Sequence, residues 1–179
     1  MIIRASCLFI ALFIGSISLT AQNKYIGTKM CSMCHKTEKQ GKQLDIWQKS
    51  AHANAYTTLT TAKANEIAKS KGLTMPAAEA ADCLACHAPQ HDAKNLEKSF
   101  VIKDGVQCET CHGAGSAYKT IPIMKDRAKA IAAGMTDFKD EAAIEAKCKT
   151  CHNEKSPTFK GFKFEEYWGK IKHSVPKAG

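Results

Sequence analysis

One short motif, repeated along the chain, dominates the chemistry that this sequence could perform. In each copy two cysteines are separated by two residues, and a histidine directly follows the second cysteine. The copies are Cys31, Cys34 and His35; Cys83, Cys86 and His87; Cys108, Cys111 and His112; and Cys148, Cys151 and His152. In c-type haem attachment, two such thiols add to the vinyl groups of one porphyrin, and the histidine binds the iron. These motifs therefore predict four covalently bound haem c groups, one for each copy.

Zinc sites and disulfide bonds are the competing interpretations of these cysteines. Zinc bound by CxxC needs two such pairs, and it does not require a histidine after each pair. Disulfides account for an even number of cysteines in an exported protein, but again not for the histidines. Every cysteine except Cys7 belongs to a motif. The recurring histidine therefore favours haem.

The supply of further histidines limits how the irons can be coordinated. Outside the motifs the sequence contains only His52, His91 and His173, so three histidines face four irons. An iron with a sixth ligand relays electrons, whereas an open iron can bind a small molecule. His52, within a helical pattern, and His173, after the aromatic residues of the last helix, are predicted sixth ligands. At least one iron must then use methionine or remain open.

Two more residues are candidates for the remaining iron. His91 follows His87 by only four residues, so it cannot reach the opposite face of the same haem, and it could serve another haem or lie on the surface. Met124 follows the third motif and is the preferred methionine ligand, although methionine is more often a flexible core residue. The weaker methionine candidates are Met30, Met33, Met75 and Met135.

The N-terminal residues predict export. A basic start at Met1–Arg4 precedes an apolar run over Ala5–Leu19 and then small residues. This is the order of a secretory signal peptide, here residues 1–21 with cleavage near Ala21, which would remove Cys7. The run is shorter than the roughly 20 residues of a membrane span, although an uncleaved anchor is the alternative. We expect a tetrahaem domain over residues 22–179, periplasmic or extracellular, with no transmembrane segment.

Composition agrees with a core built partly from porphyrin. Only 7% of the 179 residues are aromatic, so side chains alone would make a thin core. The formal net charge is +9, but the propionates of four haems would nearly cancel it, so the charge does not indicate a nucleic-acid partner. Excess lysines would instead dock an acidic redox partner. Phosphate-loop, nucleophile-elbow and HExxH motifs are missing, so the sequence does not support nucleotide-dependent or acyl-transfer chemistry.

The pattern predicts a mainly α fold, with short helices and loops wrapped around four haems and little or no β-sheet. A brief strand is predicted at 99–102, and a loop at 153–161. The predicted helices cover 36–55, 56–71 ending at Gly72, one from Pro76 into Cys83, 123–133 ending at Gly134, 140–151 with Asp140 as N-cap, and 165–172.

Four segments resemble the tetrahaem cytochrome c-554 family across nearly the whole mature chain. They are Tyr25–Gly27, Trp47–His52, Gly105–Gly113 and Phe162–His173. The best-known member of that family is a mostly helical periplasmic electron carrier. The resemblance implies three haems with two axial ligands and an open haem at the second motif.

The same resemblance implies a role for individual ligands. It makes His87 the ligand of the open haem. It places His52 opposite His112, and His173 opposite His152. The histidine that the family uses for the first haem has no counterpart between Ser116 and Ala133. Met124 is the nearest residue that could lie opposite His35.

Electron transfer is therefore the expected function. We expect a non-enzymatic carrier that passes electrons through closely packed haems between a donor and an acceptor protein, in an anaerobic, nitrogen or other respiratory chain. The alternatives are a small-molecule reductase, for example of nitric oxide, at the open haem, and a subunit of an extracellular haem filament. No residue pattern specifies an oligomeric state.

Overall fold

A computed structural model describes residues 22–174, which form short helices joined by loops. The predicted signal peptide lies outside these residues. The described α-helices are α1 (Thr28–Ser32), α2 (Gln43–Gln48), α3 (Ala55–Leu59), α4 (Ala62–Ser70), α5 (Ala81–His87), α6 (Cys108–His112), α7 (Ile121–Met124), α8 (Arg127–Ala132), α9 (Glu141–Lys149) and α10 (Phe164–Ile171). The 3-10 helices are Ala51–Asn54, Ala93–Asn95, Ile102–Asp104 and Gly115–Ala117. No helix in this part of the chain is long and apolar enough to cross a bilayer.

β-structure is almost absent from the described residues, which confirms the mainly α prediction. One isolated parallel bridge joins Tyr25 to Leu96. The strand expected at 99–102 is wrong. Ser99 turns its hydroxyl to the main chain and donates to the carbonyl of Ile26 at 2.7 Å, and a 3-10 helix begins at Ile102. The β-branched residues there lack a neighbouring strand with which to pair.

The predicted helices are more broken than their periodicity indicates. The helix expected over 36–55 contains a left-handed turn at Gly41 and Lys42 and becomes α2 followed by a 3-10 helix. Thr61 and Asp126 each accept a hydrogen bond from the main chain and start a new helix, α4 and α8. Such side chains compete with continuous helix by capping orphan N–H groups.

Several predicted helix ends are confirmed. Asp140 caps α9 and accepts a hydrogen bond from the Ala143 N–H at 2.8 Å. Gly72 and Gly134 follow α4 and α8 with φ of 77° and 101°, left-handed conformations that glycine adopts without a steric penalty. Local chemistry therefore sets where these helices stop.

The apolar core is small and rich in alanine. One buried cluster lies between α3, α4 and α5 and consists of Leu59, Ala68, Ala77, Leu84 and Ala88. The largest side chains that are completely buried are Ile26 and the polar Gln107. Conventional side-chain packing is thus as limited as the composition predicts.

Each CxxCH motif lies on a helix or at its C-terminal end. The second and third motifs lie inside α5 and α6, while the first and fourth begin near the ends of α1 and α9 and continue into the following turn. Residues three and four apart share a face of a helix. The two cysteines and the histidine of a motif can therefore face the same side.

Candidate functional site

The four motifs come together as two pairs. The thiols of Cys31 and Cys108 lie within hydrogen-bonding reach of each other, which raises the pKa of Cys31 and lowers that of Cys108. The thiols of Cys86 and Cys151 make a similar contact. None of the eight described cysteines forms a disulfide bond. The first motif thus adjoins the third, and the second adjoins the fourth.

Two pairs of histidine rings face each other at a similar spacing. The ring centroids of His52 and His152 are 6.1 Å apart, and those of His112 and His173 are 5.8 Å apart. Since a metal–imidazole bond is about 2 Å long, two imidazoles on opposite sides of one metal have centroids roughly 6 Å apart. Both pairs therefore fit two axial ligands of one haem iron.

These neighbouring rings differ from the pairing that the resemblance implies. The expected partner of His52 was His112, and the expected partner of His173 was His152. In the structure His52 instead lies beside the fourth motif, and His173 lies beside the third. Their positions in the sequence could not determine this, since both residues lie far from either motif along the chain.

Main-chain contacts near the third motif fix the position of His52. The Val106 N–H donates to the His52 carbonyl at 3.0 Å, and the indole N–H of Trp47 donates to the Val106 carbonyl at 2.7 Å. A Cβ on Gly105 would lie 2.7 Å from the His52 carbonyl oxygen, so this position requires glycine. These contacts join the Trp47–His52 segment to the Gly105–Gly113 segment.

The end of α6 is held at the carbonyl groups around His112. The Thr136 N–H donates to the His112 carbonyl at 2.9 Å, and the Tyr118 hydroxyl donates to the Gly113 carbonyl at 2.6 Å. Burial, together with the nearby His173 and His35, lowers the pKa of His112 to about 4. Its imidazole is therefore neutral at physiological pH, as metal coordination requires.

The other three paired imidazoles are shifted in the same direction. Burial and the neighbouring His152 lower the pKa of His52, and burial lowers that of His152. Partial desolvation also lowers the pKa of His173, which follows α10 and is exposed. A lowered pKa keeps these rings in the neutral form that can bind iron.

The remaining predicted ligands are not paired with another histidine ring in the described residues. His87 places its Nδ1 2.8 Å from the Ala55 carbonyl oxygen, which leaves Nε2 available for a metal. His91 places its Nδ1 3.3 Å from the Ala88 carbonyl oxygen. Met124 is half-buried at the end of α7, and His35 lies close enough to His112 and His173 to affect their pKa values.

Two buried polar side chains at the third motif were not predicted from the sequence. The Glu109 carboxylate accepts hydrogen bonds from the N–H groups of Ile26, Gly27 and Gly115, the shortest at 2.7 Å. The Gln107 amide oxygen accepts from the Thr28 N–H at 2.8 Å. Both side chains are 2% exposed.

Gln107 and Glu109 bind the chain just before the first motif to the third motif. We call the surroundings of the first and third motifs, with these two side chains, the polar region. In the sequence, the buried role of these two side chains is indicated only by their positions on each side of Cys108. Glutamine and glutamate are more often exposed, so these positions did not predict burial.

Aromatic side chains surround the fourth motif instead. The ring of Phe162 stacks on His152 with a centroid separation of 4.9 Å and on Tyr167 at 5.2 Å. We use the name aromatic region for the surroundings of the second and fourth motifs. It includes these rings and the buried cluster between α3, α4 and α5. Aromatic residues that precede His173 in the sequence thus pack on His152.

Comparison with known proteins agrees with the motifs. The model of the family described as "Cytochrome c554 and c-prime" matches residues 30–113, which include the first three motifs. Cytochrome c-554 of Nitrosomonas europaea is 31% identical over 159 residues, covering 82% of this chain and 65% of that protein.

The chain belongs to the cytochrome c-554 family. Membership in this family implies covalently bound haem c. The chain spans slightly less than two thirds of the length of its Nitrosomonas relative. No solved structure matches it significantly. Residues 22–174 of this cytochrome c-554 family member contain no group of three or more His, Cys, Asp or Glu side chains that could hold a bare metal ion.

Proposed function

We propose that this protein is an exported tetrahaem cytochrome c that carries electrons between a donor and an acceptor protein of a respiratory chain. Haem c, when bound, supplies a one-electron Fe(III)/Fe(II) couple at each iron. The observation that carries the proposal is the presence of two opposed histidine pairs at 6.1 and 5.8 Å. Two axial imidazoles leave an iron no room for substrate, which favours relay over catalysis.

The motif residues and two further histidines are the proposed haem ligands. The eight motif cysteines would attach the four haems, and His35, His87, His112 and His152 would each bind one iron. His52 would be the second ligand of the iron held by His152, and His173 that of the iron held by His112. The contacts between Cys31 and Cys108, and between Cys86 and Cys151, support two pairs of adjacent attachment points. Electrons can then pass between neighbouring irons without leaving the protein.

The first haem completes the relay if Met124 is its sixth ligand opposite His35. A methionine ligand raises the reduction potential relative to two histidines. Electrons would then collect at the first haem before they pass to the acceptor protein. Excess lysines on the surface suit acidic partner proteins.

A reductase acting at the second motif is the alternative that one observation favours. His87 has a partner for Nδ1, but no second imidazole ring pairs with it among the described residues. An iron held there on one face only could bind a small molecule such as nitric oxide.

Carbon monoxide titration of the reduced, exported holoprotein tests this assignment. The intact mass should equal the chain from Gln22 to Gly179 plus four haems, which also tests cleavage after Ala21. We expect carbon monoxide to shift the Soret band of one haem in four, and Met124→Ala to add a second reactive haem.

Cys83→Ala/Cys86→Ala provides the matched control, because loss of the second haem should remove the reaction of the wild-type protein. A holoprotein with fewer than four haems would overturn the tetrahaem assignment. Reaction of three or four irons would show that the two histidine pairs do not coordinate. Turnover of nitric oxide that disappears in Cys83→Ala/Cys86→Ala would favour the reductase.

A further inference from the structure

Two buried side-chain atoms in residues 22–174 have no hydrogen-bond partner, and they are chemically complementary. They are Nδ1 of His35 and Oε1 of Gln43. The ring nitrogen donates when it carries the proton, and the amide oxygen can only accept. The Leu44 N–H donates to the His35 carbonyl at 2.9 Å, which brings the start of α2 against the first motif. Unpaired buried polar atoms are rare and call for an explanation.

The other end of the Gln43 amide determines its orientation. Nε2 of Gln43 donates to the Ser174 carbonyl oxygen at 3.0 Å. A flipped amide would place two oxygens against each other, because a carbonyl cannot donate. Oε1 must therefore face away from Ser174 and remain available to His35. In agreement with this, burial lowers the pKa of His35 while the Gln43 side chain acts to raise it.

His87 offers a comparison within the same chain. Its Nδ1 lies 2.8 Å from a main-chain oxygen, that of Ala55. A main-chain acceptor is the same whatever the side chain, whereas the acceptor available to His35 belongs to a side chain. Hydrogen bonding at Nδ1 fixes the tautomer and orientation of a ligating histidine and increases its basicity.

We propose that Gln43 is a positioning residue for two haem ligands at once. Its Oε1 accepts the proton of His35 Nδ1, and its Nε2 holds the carbonyl group directly after His173. One side chain thereby sets the donor strength of the ligand of the first haem and fixes the segment that carries the sixth ligand of the third. This inference depends on the proposed haem attachment.

Gln43→Glu lets the two functions of Gln43 be separated, because a carboxylate keeps an acceptor for His35 but has no N–H to donate to Ser174. Gly41 cannot serve this purpose. It has φ of 90°, and a Cβ there would lie 2.7 Å from the Ser174 oxygen and 3.0 Å from Nε2 of Gln43, so Gly41→Ala would disturb both contacts at once.

The reduction potentials of the four haems in the full holoprotein test the proposal. Gln43→Leu removes the acceptor, makes the His35 imidazole a weaker donor, and should raise the potential of one haem. We expect a change of about tenfold in its reduction equilibrium, which is about 59 mV for one electron. Gln43→Glu supplies a stronger acceptor and should lower the same potential.

Both Gln43 variants lack the N–H that binds Ser174, so both should also alter the low-spin electron paramagnetic resonance signal of a different haem, the one ligated by His112. Shifts of the same sign in Gln43→Leu and Gln43→Glu, or no shift in either, would overturn the role of Gln43, since mere structural damage does not change sign with the acceptor. Absence of the first haem from the wild-type protein would instead overturn the proposed function.

Discussion

The polar region and the aromatic region each join two CxxCH motifs, but different forces hold them. In the polar region the buried Glu109 and Gln107 accept hydrogen bonds from the main chain before the first motif. In the aromatic region the contacts are apolar and stacked, as between Phe162 and His152 and around Leu84. Hydrogen bonds are directional, whereas apolar packing tolerates changes of shape. The first pair of motifs is therefore fixed in position more tightly than the second.

The two histidines proposed as sixth ligands are divided between the same two regions. His173 lies in the polar region next to His112, and His52 lies in the aromatic region next to His152. The main-chain bond from Val106 to His52 connects the two regions, because it ties the His52 segment to the start of α6. Variants that change haem coordination or the free energy of unfolding can test this difference between the two regions.

Loss of one histidine of a pair should have the largest effect on haem coordination. His52→Ala removes one of two axial imidazoles, so we expect the iron held by His152 to change from low to high spin. Electron paramagnetic resonance of the oxidised holoprotein should show this change for one iron in four.

A variant without the fourth haem decides which iron responds. In Cys148→Ala/Cys151→Ala protein, His52→Ala should add no high-spin signal. His173→Ala should still add one, because its partner is His112. If the two substitutions behave the other way round, the exchanged pairing is wrong.

Disruption of the polar region should be the most destabilising change. Glu109→Ala leaves the N–H groups of Ile26, Gly27 and Gly115 buried without their acceptor. At roughly 1–3 kcal/mol for each orphaned donor, partly relieved by water, we expect a loss of about 3–5 kcal/mol in the free energy of unfolding. Denaturant unfolding of the holoprotein, followed by circular dichroism, measures it.

Two controls accompany Glu109→Ala. Glu109→Gln keeps one acceptor oxygen and should lose about half as much stability. Glu141→Ala removes an exposed carboxylate from the first turn of α9 and should change the free energy of unfolding by about 0.5 kcal/mol or less. Equal effects of Glu109→Ala and Glu141→Ala would rule out the polar contacts as the main support of this region.

A smaller loss is expected in the aromatic region. Phe162→Ala removes the ring that stacks on His152 and Tyr167, and Phe162 is only half-buried. We expect a loss of about 1–2 kcal/mol in the free energy of unfolding. Phe162→Leu retains apolar volume and should recover part of it. A loss as large as that of Glu109→Ala would reverse the comparison between the regions.

Removal of the cap of α9 should have the smallest effect. Asp140→Ala deletes the acceptor for the Ala143 N–H at the start of the helix that carries the fourth motif, at a cost of about 1 kcal/mol. Asp140→Asn preserves an acceptor and should remain close to wild type in thermal unfolding. If Asp140→Asn lost as much stability as Asp140→Ala, the side-chain oxygen would not act as a cap.

Much of the fold followed from local chemistry. Gly72, Gly134 and Asp140 end or begin helices where the sequence predicted. The interruptions at Thr61 and Asp126 were missed, because polar residues of these types occur both on the exposed faces of helices and at their caps.

The candidate site was predictable only in part. The spacing of CxxCH is a property of a single helical turn, so the sequence alone identified the motifs. The partners of His52 and His173 could not be read in this way, and neither could the acceptors offered by Glu109 and Gln43. Those contacts join residues far apart in the chain or placed on opposite sides of a turn.

The sequence by itself thus determined the mainly α class, the four CxxCH motifs and the histidines and methionines that are candidate axial ligands. Only the tertiary structure decided which motifs adjoin, which imidazoles face each other, and which buried polar atoms support them. The physical reason is one of range. Attachment chemistry and helix capping act over three or four residues, whereas the opposed rings of His112 and His173 depend on how the loops bring distant segments together.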